Sequence, residues 1–203
     1  MFVLLSFITC VIFIVSSIPF FLILIRNKNI KGTSIVFWFL ITLVTSMTLG
    51  DFIRNDVDVV IIIPQFINAL ICFIFMMWVS YKQGKLYAAW IVLMGYSFAV
   101  PIIILEVARN HLQESASILI LLACIDQMFR MFSQKTTQGI SINMYLGMSF
   151  ALALMAIMIF LNPTTYNDAS ISYIINTLTI VGMAFIASIY QNRKSWHKPL
   201  GMI

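Results

Sequence analysis

Apolar residues run in blocks of about twenty along nearly the whole chain, separated by short polar breaks. About 20 residues at about 1.5 Å rise each are enough to cross the hydrocarbon of a bilayer. Each block therefore predicts a membrane-spanning helix. The pattern predicts seven: Phe2–Ile25, Ser34–Asp51, Val59–Tyr81, Leu86–Ala108, Ala116–Ser133, Ile140–Leu161 and Ser170–Tyr190. The breaks differ in character. Arg26, Lys28 and Lys31 make a basic loop, and Asp51, Asp56 and Asp58 make an acidic one around Arg54. Gln134–Gly139 is a second basic turn, and Asn162–Ala169 is rich in turn formers. Ser34 is placed to cap the second span. Pro19, inside the first span, removes a backbone donor and predicts a kink.

Composition narrows the class. Of 203 residues, 62% are hydrophobic and 9% charged, and the mean hydropathy is +1.01. So little charge cannot cover a soluble surface. The fold class expected is all-α, a polytopic membrane protein with seven transmembrane helices. The first block lacks a basic leader and is long for a signal sequence, so it is read as a helix. The net charge of +5 sits at helix ends and argues against nucleic-acid binding. Ten Lys and Arg residues fall on one side of the seven-span layout and two on the other. The positive-inside rule then puts the N-terminus outside and the C-terminus in the cytoplasm, with the cell membrane as the expected site. Cys10, Cys72 and Cys124 fall in apolar spans and read as small buried hydrophobes, without disulfide or metal. Trp38, Trp78 and Trp90 lie near span ends and read as interfacial anchors. No nucleophile elbow, zinc motif or P-loop occurs, so neither an enzyme nor a cofactor is expected.

The chain also repeats itself. At an offset of 107 residues, Ile18/Ile125, Lys28/Lys135, Gly32/Gly139, Ser34/Ser141 and Ile35/Ile142 coincide. Chance gives roughly one match over such a stretch. At an offset of 108, Ile67/Ile175, Asn68/Asn176, Leu70/Leu178 and Ser80/Ser188 coincide. The expected layout is 3+1+3: a first three-helix repeat (1–85), a linker helix and loop (86–115), a second three-helix repeat (116–192) and a basic tail (193–203). An odd linker makes the two repeats parallel.

Asn68 and Asn176 are the leading substrate-binding candidates. An amide in hydrocarbon finds no partner in lipid, and two amides related by a pseudo-axis would face a shared cavity. Such a pair both donates and accepts, which suits a neutral polar solute. One amide alone would read as packing glue between helices. Gln127 is a further cavity donor. Asp126 is the one acidic residue well inside a repeated helix, a proton-coupling candidate. Arg130, one turn on, can pair with it as a structural ion pair. Pro19 is the hinge candidate.

These features resemble the PQ-loop superfamily, and within it the SWEET-type seven-helix carriers. The second turn, Lys135-Thr136-Thr137-Gln138-Gly139-Ile140-Ser141, is close to the family's basic turn, and Lys28-Asn29-Ile30-Lys31-Gly32-Thr33-Ser34 is a looser copy. The family's Pro-Gln pair is split: Pro19-Phe20 keeps the proline and Asp126-Gln127 the glutamine. Pro64-Gln65 lies in the third span and is set aside. Asn68 and Asn176 match the paired asparagines that line the family's cavity. The family's prolines of the second, fifth and sixth helices have no counterpart, nor does a sixth-helix tryptophan. The resemblance implies a uniporter moving a sugar or similar small solute by alternating access. A proton-coupled amino-acid or vitamin carrier of the same group is the alternative, and a non-transporting sorting receptor or scaffold is the alternative of another class. Membrane lipid and a small-molecule solute are the expected partners. A homo-oligomer is also compatible, although two fused halves can enclose a cavity alone.

Overall fold

The computed structural model describes residues 2–27, 30–85, 112–137, 139–161 and 167–196. Among them are six α-helices and no strand: α1 (Phe2–Arg26), α2 (Ile35–Arg54), α3 (Val59–Lys82), α4 (Leu112–Ser133), α5 (Ile142–Leu161) and α6 (Asn167–Trp196). All six are long and apolar enough to cross a membrane, the architecture of a multi-pass membrane protein. Seven spans were predicted and six are observed. The fourth, Leu86–Ala108, lies outside the described residues. The remaining boundaries fall close to the predicted ones, except that α4 starts earlier and α6 is longer at both ends.

Local chemistry fixes the helix ends. The Ser34 hydroxyl accepts from Phe37 N at 3.3 Å, and Ser141 does the same for Met144 N at 3.3 Å. Asp58 caps α3 by accepting from Val60 N at 2.9 Å. The C-terminal ends of α2, α3 and α4 close on a left-handed residue: Asp56 (φ 48°), Gly84 (φ 68°) and Lys135 (φ 47°). The next N–H then reaches back into the last turn, from Val57 to Phe52, Lys85 to Ser80 and Thr136 to Met131. Carbonyls that the helix leaves unpaired are satisfied this way, away from water.

The helices pack as a closed ring in the order α1, α3, α2, α4, α6, α5 and back to α1. In each triplet the third helix lies between the first and second. Two seams join the triplets, α2 against α4 and α1 against α5. Phe7, Phe66, Phe129, Phe150, Phe160 and Phe185 point outward, which costs little in hydrocarbon. Helix association there relies on close packing instead. At Gly147 of α5 a Cβ would collide with Ser16 of α1, so this crossing needs the missing side chain.

The interior of the first triplet is aromatic. Phe20 stacks on Trp38 with ring centres 4.9 Å apart and meets Phe75 edge-on at 4.7 Å. Trp38 is fully buried. This corrects its reading as an interfacial anchor: its sequence position is near a helix end, but its side chain points into the bundle. Trp78 is half-buried and edge-on to Phe21 at 5.4 Å. Trp90 lies outside the described residues.

Candidate functional site

Three layers of hydrogen-bonding side chains from different helices lie inside this apolar bundle. The first lies at the end carrying Lys31, Lys82, Lys85 and Lys135, here called the basic end. There the last two turns of α4 grip the turn between α1 and α2. Gln127 is buried and uses both ends of its amide: Nε2 donates to the Gly32 carbonyl at 2.6 Å, and Oε1 accepts from Ser34 N at 2.9 Å. The Ser34 hydroxyl donates to Asp126 Oδ2. Arg130 Nε donates to the Lys31 carbonyl at 3.1 Å. The two basic turns also touch, since Thr33 Oγ1 donates to the Gly139 carbonyl at 2.6 Å. Gly139 has φ 89°, and a Cβ there would strike Thr33 and Ile30. Only glycine fits that approach. From the C-cap of α3, Gln83 Nε2 donates to the Thr33 carbonyl at 2.7 Å.

The second layer lies toward the opposite, acidic end. Gln65 of α3 is buried, donates to the Thr45 carbonyl of α2 at 2.7 Å, and accepts from the Tyr173 hydroxyl of α6 at 2.7 Å. The phenol ring stacks on Phe52 at 6.3 Å. Gln65 and Tyr173 are 108 residues apart, the offset that relates Asn68 to Asn176. The bond thus joins counterpart positions of the two triplets.

The third layer lies one helical turn inward from the second, between it and the basic end. Asn68 and Asn176 are both buried. Asn68 Oδ1 accepts from Cys72 Sγ at 3.6 Å. Asn176 Oδ1 is buried without any partner. Among the described residues, the other buried side-chain atoms without partners are Trp38 Nε1, Trp78 Nε1 and Ser80 Oγ.

The structure thus brings Asp126, Gln127 and Arg130 together, but onto the first turn rather than into the amide layer. Asp126 and Arg130 do not pair with each other; each binds the turn. Gln127 acts as a fastener, with its nitrogen and its oxygen each bonded to the turn. Pro19 sits within a continuous α1. Just before it, the Ser16 and Ser17 hydroxyls both donate to the Phe13 carbonyl. Gln65, set aside with Pro64 in the sequence pattern, and Tyr173, which the pattern does not single out, are site residues as well. The 108-residue offset pairs them, but they complement each other rather than match, so the repeat of identical residues does not mark them. No family model, curated protein or solved structure matches the chain.

Proposed function

We propose that the protein is a membrane carrier that moves a small polar solute, such as a sugar, by alternating access between two triplets. The ring order supports this reading, because each triplet repeats the same arrangement in the same direction, as parallel duplicated halves would. With a spanning linker in the fourth predicted block, the layout is 3+1+3 and follows the SWEET-type pattern. The excess of Lys and Arg at the basic end orients that end toward the cytoplasm.

Two latches flank the amide layer. Gln65–Tyr173 closes the acidic end, and Asp126, Gln127 and Gln83 close the basic end. Both latches are hydrogen-bonded here, which fits an occluded state. Opening either one while the other stays shut exposes the amides to one side only. The observation that carries the reading is the orphaned Asn176 oxygen. A buried acceptor left unpaired costs about 1–3 kcal/mol. A solute hydroxyl or amine donating to it removes that cost, and Asn68 offers its amide from the other triplet.

Solute counterflow in proteoliposomes tests this with sugars, neutral amino acids and vitamins as probes. Asn176→Ala is expected to cut the flux of the transported solute at least about tenfold, the equivalent of one well-made buried hydrogen bond. Undiminished flux in Asn176→Ala, or no flux of any probe in the native protein, would reject the carrier reading.

The Ser34–Asp126 contact favours a second reading, proton coupling. A hydrogen bond to a carboxylate is stronger than one to a neutral acid, so protonating Asp126 would loosen the basic-end latch. Asp126→Asn should then abolish accumulation driven by a pH gradient while sparing exchange. Unaltered accumulation would remove Asp126 from the mechanism.

A further inference from the structure

The two seams of the ring are built from counterpart positions, and only one of them is filled. In the seam between α2 and α4, Asp126 and Gln127 of α4 and Gln83, the C-cap of α3, all reach the turn that ends at Ser34. Their counterparts in the seam between α1 and α5 are Pro19, Phe20 and Gln191, facing the turn that ends at Ser141. Phe20 turns into the aromatic cluster, and Pro19 has no polar atom to offer. A cavity of about 620 Å³ remains, open at the basic end and lined by Pro19, Arg26, Asn27, Ser141, Asn143 and Gln191. Leu22 and Ile23 form its apolar wall. No carboxylate of the described residues lines it, whereas a guanidinium and three side-chain amides do.

We propose that this cavity binds a phosphate-bearing headgroup. The anion takes the place in this seam that the Asp126 carboxylate holds in the other. Arg26 supplies the positive charge on a planar guanidinium fork that suits phosphate oxygens, and Asn27, Asn143 and Gln191 supply amide N–H donors. The apolar wall continues onto the lipid-facing side of α1, where Ile18 and Ile25 are exposed, so an acyl chain can follow the head along the helix. Anionic phospholipids concentrate at the membrane face where such basic residues lie. A lipid of that face is therefore the source the geometry favours over a free phosphate. Bound there, it would tie α1 to α5 as Asp126 and Gln127 tie α4 to α2.

Thermal unfolding of the purified protein in a neutral detergent tests the proposal independently of any transport assay. The probes are phosphatidylglycerol, diacylglycerol of the same chains and inorganic phosphate. Phosphatidylglycerol should raise the unfolding temperature in a saturable way, and diacylglycerol should not. Arg26→Gln should weaken the apparent affinity about tenfold, while the equal-charge control Lys85→Gln leaves it unchanged. Pro19→Asp should place a carboxylate in the cavity from the chain itself, so its unfolding temperature should no longer respond to phosphatidylglycerol. Stabilisation by inorganic phosphate to the same extent would keep the anion site and assign it to a water-borne ligand. No response to either phosphate probe, or an equal response in Arg26→Gln, would overturn the site.

Discussion

The seam between α2 and α4 and the seam between α1 and α5 do the same job with different means. The first is stitched by side chains: one amide satisfies two backbone groups, a carboxylate takes a serine hydroxyl, and a second amide arrives from the C-cap of α3. The second holds by close packing of Gly147 on Ser16 and leaves a cavity at its basic end. Their closest sequence difference is two residues, Asp126-Gln127 against Pro19-Phe20. A polar stitch inside an apolar bundle is strong because its alternative is an unsatisfied group in a dry interior. A packed seam beside a proline is looser, since Pro19 withholds the backbone donor that would stiffen α1. The difference teaches where the bundle can part: movement of α1 against α5 costs fewer hydrogen bonds than movement of α4 against α2.

The largest expected effect follows from cutting the stitch. Gln127→Leu strands the buried Gly32 carbonyl and Ser34 N–H, at a cost of about 2–4 kcal/mol. Its counterpart Phe20→Leu conserves apolar character and should cost about 1 kcal/mol. Thermal unfolding in detergent compares the pair, and equal losses would dissolve the contrast between the seams. Gly139→Ala should come next, at about 1–3 kcal/mol, because the residue needs a positive φ and its Cβ meets Thr33 and Ile30 across the two turns. Tyr173→Phe removes one hydrogen bond at the opposite end, worth about 1 kcal/mol. It should loosen the acidic-end latch without disturbing the stitched seam, seen as faster hydrogen exchange at the start of α3 and α6 only. Pro19→Ala should have the smallest effect on stability, leaving the unfolding temperature within error or slightly higher. It should still slow solute turnover, since the regained N–H stiffens α1 at the hinge candidate. Unchanged turnover would exclude Pro19 as the hinge.

Much of the fold was legible in the pattern alone. Block length located all six helices, because a membrane span is set by one physical dimension. Ser34 announced the start of α2. The site was only partly legible. The offset that pairs Asn68 with Asn176 predicted two amides facing a shared cavity; the structure shows that both are buried. It could not show that Gln127 spends its amide on a backbone turn 93 residues away in sequence, because that depends on the ring order. Asp126 and Arg130 looked like an ion pair at helical spacing. Competing backbone and hydroxyl partners on the neighbouring turn captured each of them instead. Trp38 misled for a similar reason: depth along a helix is readable from sequence, but the direction of a side chain around a uniformly apolar helix is not.

The central claim is that the amide layer opens to one side at a time. Cys72, buried and bonded to Asn68, is a native reporter of that layer. A small charged thiol reagent applied to the basic face of reconstituted protein, with the modified residue located by mass spectrometry, reads its exposure. The account predicts slow labelling of Cys72 in the native protein, faster labelling in Gln127→Leu, and protection by the transported solute. Cys72 that stays unlabelled in Gln127→Leu, or that labels equally with and without solute, would contradict it.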